Sequence, residues 1–224
     1  KAPPLLLLHG DDYLVSSAGK AILDLLVPPD KRDFNLERFD GRAAPWDGIE
    51  SALMTPPFFP GIKTVLVENA PYFLSREHQG ALGAKVLALW DEGKKEQSAS
   101  LLADLLVLEG WTQERWERLK ESPAAVELAA LLGADEREAR AETEGLLAFC
   151  RASGMNLMQR RTGEAERLME FLERGLPPWD VLLITASYVD RRTRLYKGFQ
   201  EKGWVLDLAL ARDKSGRISR EVLA

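Results

Sequence analysis

The turn His9-Gly10-Asp11-Asp12 follows the apolar run Leu5–Leu8, the place where a nucleotide-binding core would cradle phosphate. The phosphate-loop pattern G-x-x-x-x-G-K-[ST] can be tested there by counting. From Gly10, the second glycine should fall at 15 and the lysine at 16, but the chain has Val15 and Ser16. Only Ser17 matches. Lys20 lies one helical turn further on, ~6 Å too far along the axis. Val15 also puts a β-branched side chain where backbone amides must approach phosphate closely. Later, Glu68 is followed by Asn69, so the acidic pair of an ATP-hydrolysing strand is incomplete. The layout is that of a nucleotide-binding core whose nucleotide site is lost. A divergent P-loop NTPase with an unusual phosphate loop is the alternative.

Other chemistries find less support. The chain has no G-x-S-x-G elbow, no H-E-x-x-H and no C-x-x-C. His9 follows a strand, yet spacing nominates no acidic or nucleophilic partner, and a locally hydrogen-bonded turn histidine is the simpler identity. Cys150 stands beside Phe149 on the apolar side of a helix and reads as a core thiol. One cysteine and two histidines, His9 and His78, argue against a disulfide framework and against structural zinc. Arg160-Arg161 and Arg191-Arg192-x-Arg194-x-x-Lys197 can touch phosphate or an acidic partner, or simply form solvated helix faces. No catalytic residue, cofactor or metal is expected.

The elements that would carry these residues follow from periodicity. Leu5–Leu8 reads as a buried strand, followed by a helix from about Leu14 to Val27 that Pro28-Pro29 end. Phe34–Phe39 reads as a second strand with imperfect alternation. Pro45 opens a short helix through Ile49, Ala52 and Leu53, and Ile62–Val67 is a third, β-branched strand. Strand and helix alternating over short connections predict a parallel sheet covered by helices.

From about Ser75 to Gly175 the period becomes helical. Segments are predicted at Glu77–Trp90, Ser98–Leu108, Gln113–Glu121, Pro123–Leu132, Asp135–Ala152 and Leu157–Arg174. Their predicted apolar seam contains Leu87, Trp90, Leu101, Leu105, Trp116, Leu131, Leu146 and Phe149. The sheet pattern resumes with Val181–Thr185. A helix capped by Asp190 follows and stops at Gly203, and Trp204–Leu208 is a fifth strand. Roughly 100 residues of helix therefore interrupt an α/β unit, far more than an ordinary crossover of one helix and short loops.

One stretch resists regular structure. Met54-Thr55-Pro56-Pro57-Phe58-Phe59-Pro60-Gly61 carries three prolines that remove donors and fix φ. Adjacent side chains of an extended segment point opposite ways, so Phe58 and Phe59 are not expected to share one core. A stiff loop with two large rings suits insertion into a partner's pocket, because docking orders little that was free. The stretch alone equally allows one ring to cap the core while the other packs on a helix.

Composition sets outer bounds. The chain has 224 residues, 46% hydrophobic and 29% charged, with a formal net charge of −5. That is an ordinary globular balance, and it disfavours nucleic-acid binding by the whole surface. No apolar run near the start is long enough to cross a membrane. The chain opens at Lys1 and stops within Ser219-Arg220-Glu221-Val222-Leu223-Ala224, an N-capped helix just begun, which reads as a fragment of something longer.

Taken together, these segments resemble the δ subunit of the bacterial DNA polymerase III clamp loader. The resemblance rests on Leu5–Leu8 with His9-Gly10-Asp11-Asp12-Tyr13-Leu14, and on Phe34-Asn35-Leu36-Glu37-Arg38-Phe39-Asp40-Gly41. It continues through Pro57-Phe58-Phe59-x-x-x-Lys63-Thr64-Val65-Leu66-Val67, then Leu182–Ala186 and Asp190-Arg191-Arg192-x-Arg194-Leu195-Tyr196-Lys197. It covers about half of the chain.

The resemblance implies an AAA+-type fold, and with the periodicity above the expected class is an α/β, AAA+/P-loop-like five-stranded parallel sheet with flanking helices, interrupted by a large all-helical insertion. The domain expectation is 1–75 and 176–212 for the sheet, 76–175 for the insertion, and 213–224 for the start of a second helical domain. The resemblance further implies a cytoplasmic replication protein that binds no ATP and helps pry open the sliding clamp. Phe58 and Phe59, with Pro57, would enter a clamp pocket. Other loader subunits would join through a C-terminal domain, and primed DNA would be met only in the assembled complex. Two features depart from the pattern: the number of prolines around the ring pair, and the helical stretch from about 80 to 175.

Overall fold

The computed structural model describes residues 4–75, 79–118, 124–133, 139–157 and 162–209. Strands β1 (Leu5–Gly10), β2 (Leu36–Asp40), β3 (Lys63–Glu68), β4 (Asp180–Ala186) and β5 (Trp204–Leu208) form one sheet. Its order is β2-β3-β4-β1-β5 and every pairing is parallel. The expected α/β class with a five-stranded parallel sheet is therefore present.

The apolar runs of β1, β3 and β4 are explained by burial on both faces. On one face Leu5, Leu7, Val65, Val67, Leu182 and Ile184 pack with Trp46, Ile49 and Leu53 of α3 (Trp46–Met54). Phe171 of α9 (Glu164–Arg174) and Phe199 of α10 (Arg194–Lys202) join the same layer. On the other face Leu6, Leu8, Leu66, Val181 and Leu183 meet Val15 and Leu23 of α1 (Asp12–Leu26). The single-residue alternation of side chains along each strand sorts these residues into two layers.

Residues 1–74 with 163–224 make one compact unit and 75–162 a second. The predicted boundary at Gly175 therefore needs correction. The segment 164–174 was expected within the insertion, but Leu168, Phe171 and Leu172 lie in the sheet's core. Glu164, at the start of α9, accepts a hydrogen bond of 2.9 Å from the Trp46 backbone N–H. Pro45, at the N-cap of α3, makes no side-chain cap hydrogen bond, and the buried Glu164 carboxylate supplies the missing acceptor. Residues 213–224, expected to begin another domain, lie outside the described residues.

The second unit contains α4 (Gln79–Asp91), α5 (Lys95–Leu108), α6 (Gln113–Arg118), α7 (Ala124–Leu132) and α8 (Ala139–Ala152). Its seam is built from Leu82, Val86 and Leu89 of α4 with Leu101, Leu105, Trp116, Leu132 and Leu146. Leu87, Trp90, Leu131 and Phe149 were expected there but are only half-buried. Trp90 and Phe149 still meet edge to face at 5.9 Å. Helices α4 and α7 approach closely at Gly83, where a Cβ would lie 2.4 Å from the Leu131 carbonyl oxygen.

Candidate functional site

Eight large hydrophobic side chains are exposed among the described residues, and five of them fall between Phe34 and Ile62. They are Phe34, Met54, Phe58, Phe59 and Ile62. Phe58 is 77% exposed, Phe34 51% and Phe59 39%. The three phenylalanines form one cluster. Phe34 stacks on Phe58 at 5.6 Å and meets Phe59 edge to face at 4.9 Å, while Phe58 and Phe59 meet edge to face at 5.1 Å.

This corrects the expectation that adjacent rings point apart. Residues 58–61 are bent rather than extended, so the two side chains turn to the same side. Neither ring belongs to the sheet's core clusters. Both pack instead on Phe34, which was expected in a strand. Phe34 and Asn35 belong to a short helix, α2 (Arg32–Asn35), that precedes β2.

Two buried polar side chains hold the loop. Asn35, 1% exposed, donates through Nδ2 to the Phe59 and Ile62 carbonyls at 3.2 and 3.3 Å. Its Oδ1 accepts the Phe59 N–H at 3.4 Å. Lys63, 2% exposed, donates to the carbonyls of Ala52 and Thr55 at 2.5 and 2.9 Å, where α3 ends. The Ala52 carbonyl also accepts the Thr55 N–H at 3.2 Å, and the ammonium adds a second donor there and reaches the Thr55 carbonyl, acting as a C-terminal cap. Its third contact is Glu37 Oε1 at 2.7 Å. Asn35 thus fixes the loop at its rings and Lys63 at its base, with Pro57 half-buried between them.

Sequence reasoning found the rings and missed their holders. The clue to Asn35 was the broken alternation of Phe34–Phe39, which marks a helix-to-strand junction. The clue to Lys63 was a charged residue opening an otherwise apolar strand.

The nucleotide-type turn is closed. β1 runs to Gly10 and α1 begins at Asp12, so one residue joins them. Asp11 is the N-cap, and its carboxylate accepts from the N–H groups of Tyr13 and Leu14 at 3.1 and 3.3 Å. A phosphate at this helix end would meet a carboxylate where it needs free amides. Gly10, at φ +128°, lies so close to β5 that a Cβ would be 2.3 Å from the Ala209 nitrogen.

His9 is not a turn residue but a buried member of β1. Its Nδ1 is 3.7 Å from Asp207 Oδ1, beyond hydrogen-bond range, and its ring meets Tyr196 edge to face. Burial lowers its pKa, with Asp207 opposing and Arg191 reinforcing the shift. A neutral imidazole packed on an aromatic ring is structural. Cys150 is fully buried and its thiol is pushed up to about 12 by burial, as a core thiol should be.

The basic run on residues 191–197 is largely neutralised. Arg191 pairs with Asp207, Arg192 with Asp190, and Arg194 with Glu173 at 2.7 Å. Asp190 caps no helix; Thr193 takes that place on α10, accepting from the Tyr196 N–H. Arg160 and Arg161 lie outside the described residues. Among the described residues no group of three or more acidic, histidine or cysteine side chains could hold a metal, and no helix is long and apolar enough to cross a membrane.

The first unit thus combines a parallel α/β sheet, a closed turn after β1 and an exposed aromatic loop pinned by two buried side chains. Residues 6–88 match the family model described as DNA polymerase III, delta subunit, so this part of the chain is similar to that family. Among solved structures, the Bacillus subtilis DNA clamp loader delta protein matches with a TM-score of 0.52 and 15% identity. The match covers 96% of this chain but 40% of that one. At that identity the likeness concerns the fold. No curated protein matches the chain.

Proposed function

We propose that this chain acts as part of a clamp-loader delta subunit that docks on the ring-shaped sliding clamp and helps open it during DNA replication. Phe58 and Phe59, carried by Pro57, are the docking residues. The observation that carries the reading is the exposed ring pair on a loop held at both ends by Asn35 and Lys63. Such a loop loses little freedom on binding, so ring burial converts efficiently into affinity. The delta-subunit family match over residues 6–88 spans this loop and supports the reading.

The chain does no chemistry of its own in this reading, and ATP is handled elsewhere in the loader. The AAA+-like sheet serves as a frame, and residues 75–162 form a separate helical unit. Other loader subunits join through a C-terminal domain, and primed DNA is met in the assembled cytoplasmic complex.

Burying one phenylalanine is worth roughly 1.5–3 kcal/mol. Replacing both rings with alanine should weaken clamp binding by at least ~100-fold, at ~1.4 kcal/mol per tenfold. Surface plasmon resonance against the organism's clamp measures this, with circular dichroism as the check on folding. Parental affinity in a folded double variant would refute the docking role.

A further inference from the structure

We propose that Phe34 is a third docking residue, so that the partner meets a knob of three rings rather than a pair. The inference rests on the docking role proposed above for Phe58 and Phe59. Phe34 comes from a different part of the chain, 24 residues before Phe58, and its exposure exceeds that of Phe59. It touches both loop rings, and its plane lies only 25° from that of Phe58. A pocket that receives Phe58 must therefore either strip it from Phe34 or take the two together.

The local scaffold favours taking them together. Asn35, the next residue, grips the Phe59 backbone at both its N–H and its C=O. Lys31, one turn earlier, reaches the Pro60 carbonyl at 3.5 Å. The segment 31–35 and the loop 59–62 are thus tied at four backbone groups of the loop by the side chains of Lys31, just before α2, and Asn35, at its end, one on either side of Phe34. Stripping Phe58 from Phe34 would break ring contacts without releasing the backbone that aligns them. A buried aromatic pair in offset or edge geometry is stabilising beyond its area, so a partner gains by covering the cluster whole. The occupant this surface fits is an apolar concavity on the clamp broad enough for adjacent rings, with room at its rim for the half-exposed face of Phe34.

The test uses the single-cysteine character of the chain. Cys150 is buried with a thiol pKa of about 12, so it stays silent to alkylation in the folded protein. Phe34→Cys introduces one accessible thiol at the position in question. Maleimide labelling is followed with and without saturating clamp, and clamp affinity is measured for Phe34→Ala and Phe34→Leu. Expected are strong protection of the introduced thiol, about a tenfold loss of affinity for Phe34→Ala, and partial recovery for Phe34→Leu. Full labelling of the introduced thiol while clamp remains bound would overturn the proposal, as would parental affinity for Phe34→Ala. Phe58→Ala/Phe59→Ala, run in parallel, separates the two ideas. If it too binds as the parent, the docking role itself fails; if it alone loses binding, only the role of Phe34 does.

Discussion

Lys63 and Asp180 face each other in register across β3 and β4, a buried lysine beside a buried aspartate. Yet the lysine spends its hydrogen bonds elsewhere: on the Ala52 and Thr55 carbonyls and on Glu37. Neither Asp180 carboxylate oxygen has a hydrogen-bond partner among the described residues. Burial raises the Asp180 pKa to about 7, Lys63 opposes that shift, and Glu37 reinforces it.

The sign follows directly. A folded-state pKa above the ordinary carboxyl value means the folded form binds the proton more tightly than the unfolded chain. The stabilisation is complete below about pH 4 and is lost as pH rises through about 7. Asp180→Asn should therefore raise the melting temperature at pH 8 and change it little at pH 4. Differential scanning calorimetry at the two pH values checks this; an equal effect at both would show that the Asp180 charge does not matter.

Much of this frame was legible in the sequence. Leu5–Leu8 and Val181–Thr185 are too apolar for a half-exposed strand, so a sheet covered on both faces followed from them alone. The ring pair among prolines marked its own loop. What sequence could not reveal is distance between remote residues. Glu164 capping α3, Asn35 gripping Phe59 and Lys63 closing the end of α3 all depend on pairings set by the sheet. The same limit misplaced the end of the helical segment: α9 has helical periodicity like its predecessors, and only its packing partner assigns it to the sheet.

Lys63→Met keeps the side chain's length and removes its three donors. The Thr55 carbonyl would lose this donor, the Ala52 carbonyl would keep only the Thr55 N–H, and Glu37 would lose its counter-ion. Leaving buried acceptors unpaired costs ~1–3 kcal/mol. Because Glu37 is 43% exposed in its side chain and can find water, the loss should stay near that range. Urea denaturation of parent and variant measures it. Parental stability would mean that the lysine's hydrogen bonds are replaceable by solvent.

Nucleotide should not bind. The single-residue turn between Gly10 and Asp12 offers no cradle, and the Asp11 carboxylate already occupies the amides of α1. Isothermal titration with millimolar ATP or ADP should give no saturable heat. Saturable heat would revive the divergent NTPase alternative.

Asn35 offers the sharpest discrimination, because its two amide ends face opposite demands. Nδ2 faces two carbonyl oxygens, of Phe59 and Ile62, while Oδ1 faces the Phe59 N–H. Asn35→Ala removes all three bonds and should cost ~1–3 kcal/mol at net values of about 1 kcal/mol each. Asn35→Asp keeps the shape but sets a carboxylate oxygen against the two carbonyls. Its charged form is disfavoured there, so its own pKa should rise on folding. Stability would then be lost as pH climbs through that raised value, and Asn35→Asp should be the worse variant at pH 8 but close to Asn35→Ala at pH 4. Urea melts of both variants at the two pH values read this directly. If the aspartate variant matches the parent at pH 8, the loop is not held by these bonds, and its rings are placed by the prolines alone.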